Sequence, residues 1–145
     1  MKPGVDYVGV GVGAVIINNK SKFFLSKRGE KARNEKGLWH FPGGTLEFGE
    51  KLEDCIKREI KEEFGVDIKI IDSLEPFDHI LPHEHQHWVA FCFVANIISG
   101  TPTNKEPEKC AEIGWFTLNE IEKLPLASVS KIRIKQLKEK PHPRQ

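Results

Sequence analysis

Apolar residues along this chain follow two periods, and each switch of period marks an element. From Tyr7 to Ile17 (YVGVGVGAVII), Val and Ile alternate with Gly9, Gly11 and Gly13, which predicts a strand with one face of nearly bare backbone. Something must pack or bind closely against that face. Asn18-Asn19 predicts a hairpin turn, and Lys22 to Arg28 (KFFLSKR) its returning partner strand. Gly29 to Gly37 has no period and reads as a polar loop leading to Trp39-His40-Phe41-Pro42-Gly43-Gly44, where Pro and paired Gly force a turn whose backbone can approach a ligand. Thr45 to Phe48 alternates briefly before Gly49 breaks it. The period then changes to 3.6: Leu52, Ile56, Ile60 and Phe64 form an i,i+4 stripe that predicts a helix over Lys51 to Phe64, stopped by Gly65.

Val66 to Ile80 opens with alternating VDIKII and predicts a long strand. His87 to Ile98 (HWVAFCFVANII) is nearly continuous and β-rich, a buried strand joined to the first through Pro82 to Gln86. A Gly, Pro, Thr and Asn loop covers Ser99 to Lys109. A strand over Glu112 to Thr117, a short helix over Leu118 to Glu122 and an amphipathic closing helix over Ala127 to Lys138 follow, with Pro141 to Gln145 as a flexible tail. No repeat or linker interrupts this order, which predicts one domain over residues 1–140, an α/β (α+β) fold with a mixed sheet and helices on both faces.

Composition narrows the function classes. The 145 residues suffice for one core that buries roughly two thirds of the unfolded surface. Three cysteines match no paired metal spacing and leave no even disulfide set, so free thiols and a cytoplasmic location are expected. Lys and Arg (22) nearly balance Asp and Glu (21), so neither a nucleic-acid polymer nor a membrane surface is the expected partner; a small molecule is. The early apolar run is broken by Asp6 and alternating glycines, and reads as a strand rather than a signal peptide. Its G-x-G-x-G spacing lies within that strand and does not open a helix, unlike a dinucleotide fingerprint.

Charge on the central helix is the exception to this balance. Glu59 and Glu63 lie one turn apart on one face, and Glu62 is about one helical step from each. Like charges at i,i+4 repel, and acids in the last turn oppose the helix dipole, so the arrangement costs stability unless a cation arrives from outside. Clustered glutamates suit Mg²⁺, a hard cation that keeps several waters and shares carboxylates with substrate phosphates; Mn²⁺ is a substitute.

These residues also carry a resemblance. Gly44, Glu50, Arg58, Glu59, Ile60, Glu62, Glu63, Gly65 and Val66 satisfy every specified position of G-x5-E-x7-R-E-U-x-E-E-x-G-U, the Nudix box, in which U is a large apolar residue. A chance match in a chain of this length is on the order of one in ten million on average residue frequencies. The Phe41-Pro42-Gly43-Gly44 turn, the glycine-rich first strand and Trp115-Phe116 are also similar to the MutT-like branch of the Nudix hydrolases. The resemblance implies an α/β/α sandwich with a mixed sheet that hydrolyses nucleoside diphosphates linked to a further group. It gives Glu59, Glu62, Glu63, the Gly43 carbonyl and Glu106 as metal ligands, Glu106 being preferred to Glu108 as the loop carboxylate. Glu59, Glu62 and Arg58 are its catalytic candidates, with the general base on Glu59 and with Glu62 and a loop acid as competitors. Glu50 and Arg58 are expected to pair, and Gly44, Glu50 and Gly65 to be structural.

For the substrate, the resemblance points to Arg28 on phosphate and Asn119 on a base, with Phe41, Gly43 and Gly44 lining the site; a strand-end charge for Arg28 and a cap or turn for Asn119 are the plain alternatives. A nucleoside triphosphate giving monophosphate and pyrophosphate is the expected reaction. Pro82, sixteen residues beyond Val66, keeps ADP-ribose or another nucleoside diphosphate sugar open. A nucleotide-binding module without turnover is the alternative of another class, and a homodimer is left open. His83-Glu84-His85-Gln86-His87 contains H-E-x-x-H, but it follows Ile80-Leu81-Pro82 and runs into a strand, so its histidines should alternate on extended chain and not share a helical face as in a zinc protease.

Overall fold

The computed structural model describes residues 1–139. Its elements are β1 (Gly9–Ile16), β2 (Phe23–Arg28), β3 (Trp39–His40), β4 (Gly43–Thr45), α1 (Leu52–Phe64), β5 (Asp67–Leu81), β6 (Gln86–Ser99), β7 (Cys110–Phe116), α2 (Leu118–Glu122) and α3 (Ser128–Glu139), with a 3-10 turn at Pro82–Glu84. The tail expected from Pro141 lies outside the described residues. No described helix is long and apolar enough to cross a membrane.

The strands form two sheets. One has the order β4-β1-β6-β5 and is mixed, because β1 runs parallel to β6 and antiparallel to β4; the other has the order β3-β2-β7 and is antiparallel. This corrects the expected hairpin of β1 with β2. The turn does form, with Asn18 N–H donating to the Lys22 carbonyl and the Asn18 side chain accepting from Lys20 and Lys22, but only an Ile17–Phe23 bridge joins the strands. The cause is burial of both faces of β2: Phe23 and Leu25 enter one apolar cluster and Phe24 the other, so β2 leaves β1 and pairs with β7. The short strand is displaced too, to Gly43–Thr45, because paired glycines let the backbone lie against β1.

Helices cover both faces. The α1 stripe of Cys55, Ile56, Ile60 and Phe64 packs with Val12, Ala14, Ile16 and Phe24, where Phe64 meets Phe24 edge-on at 4.9 Å. Burying one such ring contributes about 1.5–3 kcal/mol. Glu53 and Asp54 favour its first turn, and Gly65, at φ 75°, takes the left-handed conformation that ends it. On the other side Ile121, Leu126, Ile134 and Leu137 cover Val15, Phe23, Leu25, Phe41, Leu74 and Val94. The three cysteines are buried and free. A 3-10 turn interrupts the extended run expected at the histidines: His83 and His85 are exposed, His85 has φ 52°, and His87 on β6 pairs with Asp78 at 3.1 Å.

Candidate active site

The glycines of β4 decide how closely α1 can approach. Gly43 and Gly44 pair with Gly13 and Val12 of β1. A Cβ on Gly43 would lie 2.4 Å from the Val12 carbonyl oxygen, and one on Gly44 2.1 Å from the Glu59 carboxyl carbon. The bare backbone therefore makes the space in which Glu59 sits.

Arg58 organises the carboxylates around it. Its Nε and Nη2 donate to the two oxygens of Glu50 at 2.6 and 3.0 Å, a bidentate pair, while Nη1 donates to Glu59 at 2.9 Å and Glu62 at 3.3 Å. This pair holds the Glu50 carboxyl down at about 2, and the acids raise Arg58 further. Glu50 also accepts from the Glu47 backbone N–H, so the pair fixes the loop entering α1. Glu63 meets the opposite conditions. Burial, then the adjacent Glu59 carboxylate and then Glu106, push its carboxyl well above the ordinary range, with Lys109 offsetting only part. Glu106 reaches the cluster because its loop caps α1: Thr103 and Lys105 N–H groups donate to the Phe64 and Glu63 carbonyls. Glu108 instead pairs with Lys31 at 3.1 Å, exposed.

Glu59, Glu62, Glu63 and Glu106 thus face one cleft of about 460 Å³, with Gly43, Gly44, Arg58 and Arg28 in its wall. Among the described residues no three His, Cys, Asp or Glu side chains converge closely enough to cage a metal unaided. Arg58 draws Glu59 and Glu62 toward itself. The donor set still fits a divalent cation, since a buried carboxyl pushed up by two neighbouring acids is chemistry that such a charge reverses.

A second hollow opens beside the first and shares Arg28, Arg33, His40, Gly43 and Gly44 with it. Gly11, Gly13, Ala90 and Cys92 contribute small residues to it, and Phe41 lines it while its ring joins the core. The bare face of β1 is therefore partly filled and partly open: Trp88 packs on Gly4 and Gly9, whereas Gly11 and Gly13 border the hollow. Arg28 is held there, Nε donating to the Asn34 carbonyl at 2.7 Å and Nη1 lying 3.2 Å from His40 Nδ1. Burial, aided by Arg28, pushes His40 down to about 3, so its ring is neutral. Asn119 is not brought to either hollow. It is exposed on α2, whose cap is Thr117.

Sequence reasoning missed the far walls of this hollow. Glu35, with φ 45°, accepts from both N–H and Oγ of Ser128 at 2.8 Å and so fastens the 29–38 loop to the start of α3, while His79 reaches the same Ser128 hydroxyl at 2.7 Å. Arg133 is buried beneath, donating to the Glu75 and Ala90 carbonyls. The Glu35 and Ser128 pair spans 93 residues, and no local pattern announces it.

Known proteins resemble the chain in sequence and in fold. A Bacillus subtilis protein named as an uncharacterized Nudix hydrolase, YvcI, is 33% identical over 95 residues, 63% of this chain and 59% of its own length. A Methanocaldococcus jannaschii protein named ADP-ribose pyrophosphatase is 34% identical over 109 residues, 75% of this chain and 62% of its own. The chain therefore spans less than two thirds of either relative. The crystal structure of a MutT NUDIX hydrolase from Burkholderia pseudomallei superposes with a TM-score of 0.83 at 34% identity, covering 91% of this chain and 99% of that one. The pattern of the NUDIX domain family matches residues 8–137, and with the box glutamates gathered on α1 beside the paired glycines of β4, the chain belongs to that family.

Proposed function

We propose that this chain is a Mg²⁺-dependent hydrolase of the pyrophosphate linkage in a nucleoside diphosphate derivative, acting on a nucleoside triphosphate to give the monophosphate and pyrophosphate. The observation that carries the reading is the convergence of Glu59, Glu62, Glu63 and Glu106 on one cleft beside Gly43, where burial and the neighbouring acids push the Glu63 carboxyl up. Glu59, Glu62, Glu63, Glu106 and the Gly43 carbonyl would hold the metal. Bound there, Mg²⁺ supplies charge neutralisation at phosphate oxygens and lowers the pKa of water. Glu59 is the general base in this reading. Arg58 keeps it oriented at 2.9 Å, and Gly44 leaves the room it needs. Arg28, tied to Asn34 and His40, presents its guanidinium to the phosphate chain where the two hollows meet. The second hollow takes the nucleoside, with Phe41 in its wall.

A second reading, ADP-ribose as substrate, is favoured by the name of the Methanocaldococcus relative and by Pro82, which opens the 3-10 turn between β5 and β6. Nucleoside triphosphates, ADP-ribose and dinucleoside polyphosphates, assayed with Mg²⁺ for released pyrophosphate, phosphate and monophosphate, separate the two. Pyrophosphate from a triphosphate supports the first reading. Cleavage of ADP-ribose alone replaces it with the second, and tight nucleotide binding without cleavage of any member sinks both.

A further inference from the structure

Among the described residues, Arg33 is the guanidinium with the most unspent donors. It has five N–H groups, and one hydrogen bond is formed by them: Nη1 to the Thr45 hydroxyl at 3.2 Å. Among the described residues, neither Arg33 nor Arg28 has a carboxylate within ion-pair distance, whereas Arg58 has four. Arg28 spends donors on a carbonyl and an imidazole, and the buried Arg133 on carbonyls and Gln136. Arg33 instead rests with its guanidinium carbon 4.5 Å from the centroid of the Trp88 ring, exposed to solvent.

Its position matters as much as its free donors. Arg33 lines both the acidic cleft and the hollow beside it, and the charge of Glu59 reaches it. Stacking on Trp88 holds a planar fork without using any N–H, which leaves the edge free for two oxygens of one anion. Backbone contacts steady the perch. The Arg33 carbonyl accepts from Gln86 Nε2 at 3.5 Å, while Gln86 Oε1 accepts from Asn34 Nδ2 at 2.9 Å and from Trp88 Nε1 at 2.8 Å, so loop, indole and Arg33 form one unit.

Resting on the pyrophosphohydrolase reading above, we infer that Arg33 is a second substrate-binding arginine: its fork binds phosphate oxygens at the junction of the two hollows, opposite the carboxylates that bind the metal. Arg28 and Arg33 then grip the anionic chain from the loop side. Arg33 discriminates by charge and shape, because a lysine offers a point charge and cannot stack or bind in fork fashion.

The test compares Arg33→Gln and Arg33→Lys with the parent chain for turnover of a nucleoside triphosphate with Mg²⁺, and for binding of its α,β-methylene analogue. The expected result is a loss in kcat/KM of about tenfold or more for Arg33→Gln, carried mainly by KM, with weaker analogue binding, an unchanged Tm and partial recovery in Arg33→Lys. Millimolar guanidinium should restore part of the activity of Arg33→Ala, which a merely structural loss would not allow. Arg33→Gln within twofold of the parent in KM and in analogue binding overturns the inference. If the parent cleaves no substrate, the proposed function fails by itself, and analogue binding still decides the role of Arg33: weakened binding supports it, equal binding refutes it.

Discussion

Replacing the Glu63 carboxyl with an amide should raise the stability of the metal-free protein while abolishing its response to metal. The carboxyl is buried beside Glu59 and near Glu106, and its folded-state pKa lies above the unfolded value. For an acid shifted upward, the contribution to stability is full below the unfolded pKa and is lost as pH rises toward the folded one, so at neutral pH without metal Glu63 is destabilising. Each pK unit between the unfolded value and the working pH corresponds to about 1.4 kcal/mol. Glu63→Gln keeps the shape and removes this cost, which for a domain of this size raises Tm in EDTA by roughly 4 °C per unit. In the parent, Mg²⁺ at ten times its Kd adds about 1.4 kcal/mol, roughly 4 °C, by mass action. Thermal scans in EDTA and in a Mg²⁺ series should show Glu63→Gln starting higher and staying flat, with turnover lost. A variant that melts lower in EDTA, or that keeps both the metal response and the turnover, would refute the reasoning.

The two glycines of β4 should separate stability from activity. Gly43→Ala drives a Cβ into the Val12 carbonyl and should lower Tm strongly, whereas Gly44→Ala meets the flexible end of Glu59 and should fold while losing about tenfold or more in turnover. His40, whose folded value of about 3 lies below its ordinary 6.5, contributes stability that is present above pH 6.5 and is lost as pH falls toward 3. The stability difference between parent and His40→Asn in urea should therefore shrink on acidification from pH 7 to 4, by at most about 1.4 kcal/mol per pH unit. Glu35→Ala removes both acceptors at Ser128 and should cost about 0.5–2 kcal/mol and raise KM more than it changes kcat, measured by denaturation and steady-state kinetics.

Legibility in the sequence followed the range of the interaction. The stripe of α1 and the Gly65 stop lie within one short stretch and were exposed by spacing, while the Glu50 and Arg58 pair in the same stretch was implied by the family resemblance. Local pattern excluded an α-helix at His83-Glu84-His85 but missed the 3-10 turn over Pro82–Glu84 that replaces the expected extended run. It failed at β2, because two-sided burial of Phe23, Phe24 and Leu25, and not the Asn18 turn, chose the partner strand. It failed again at the second hollow. Arg33 meets Trp88, Asn34 meets Gln86 and Glu35 meets Ser128 only once β6 and α3 have docked against the 29–38 loop, and no periodicity encodes contacts of that range.

Release of pyrophosphate from a nucleoside triphosphate, followed during a Mg²⁺ titration in the parent and in Glu59→Gln, tests the central claim most directly. The account predicts no turnover in EDTA, saturable activation by Mg²⁺ with Mn²⁺ able to replace it, and a loss of at least about a hundredfold in Glu59→Gln at saturating metal. Turnover that persists in EDTA, or that survives in Glu59→Gln, would contradict it.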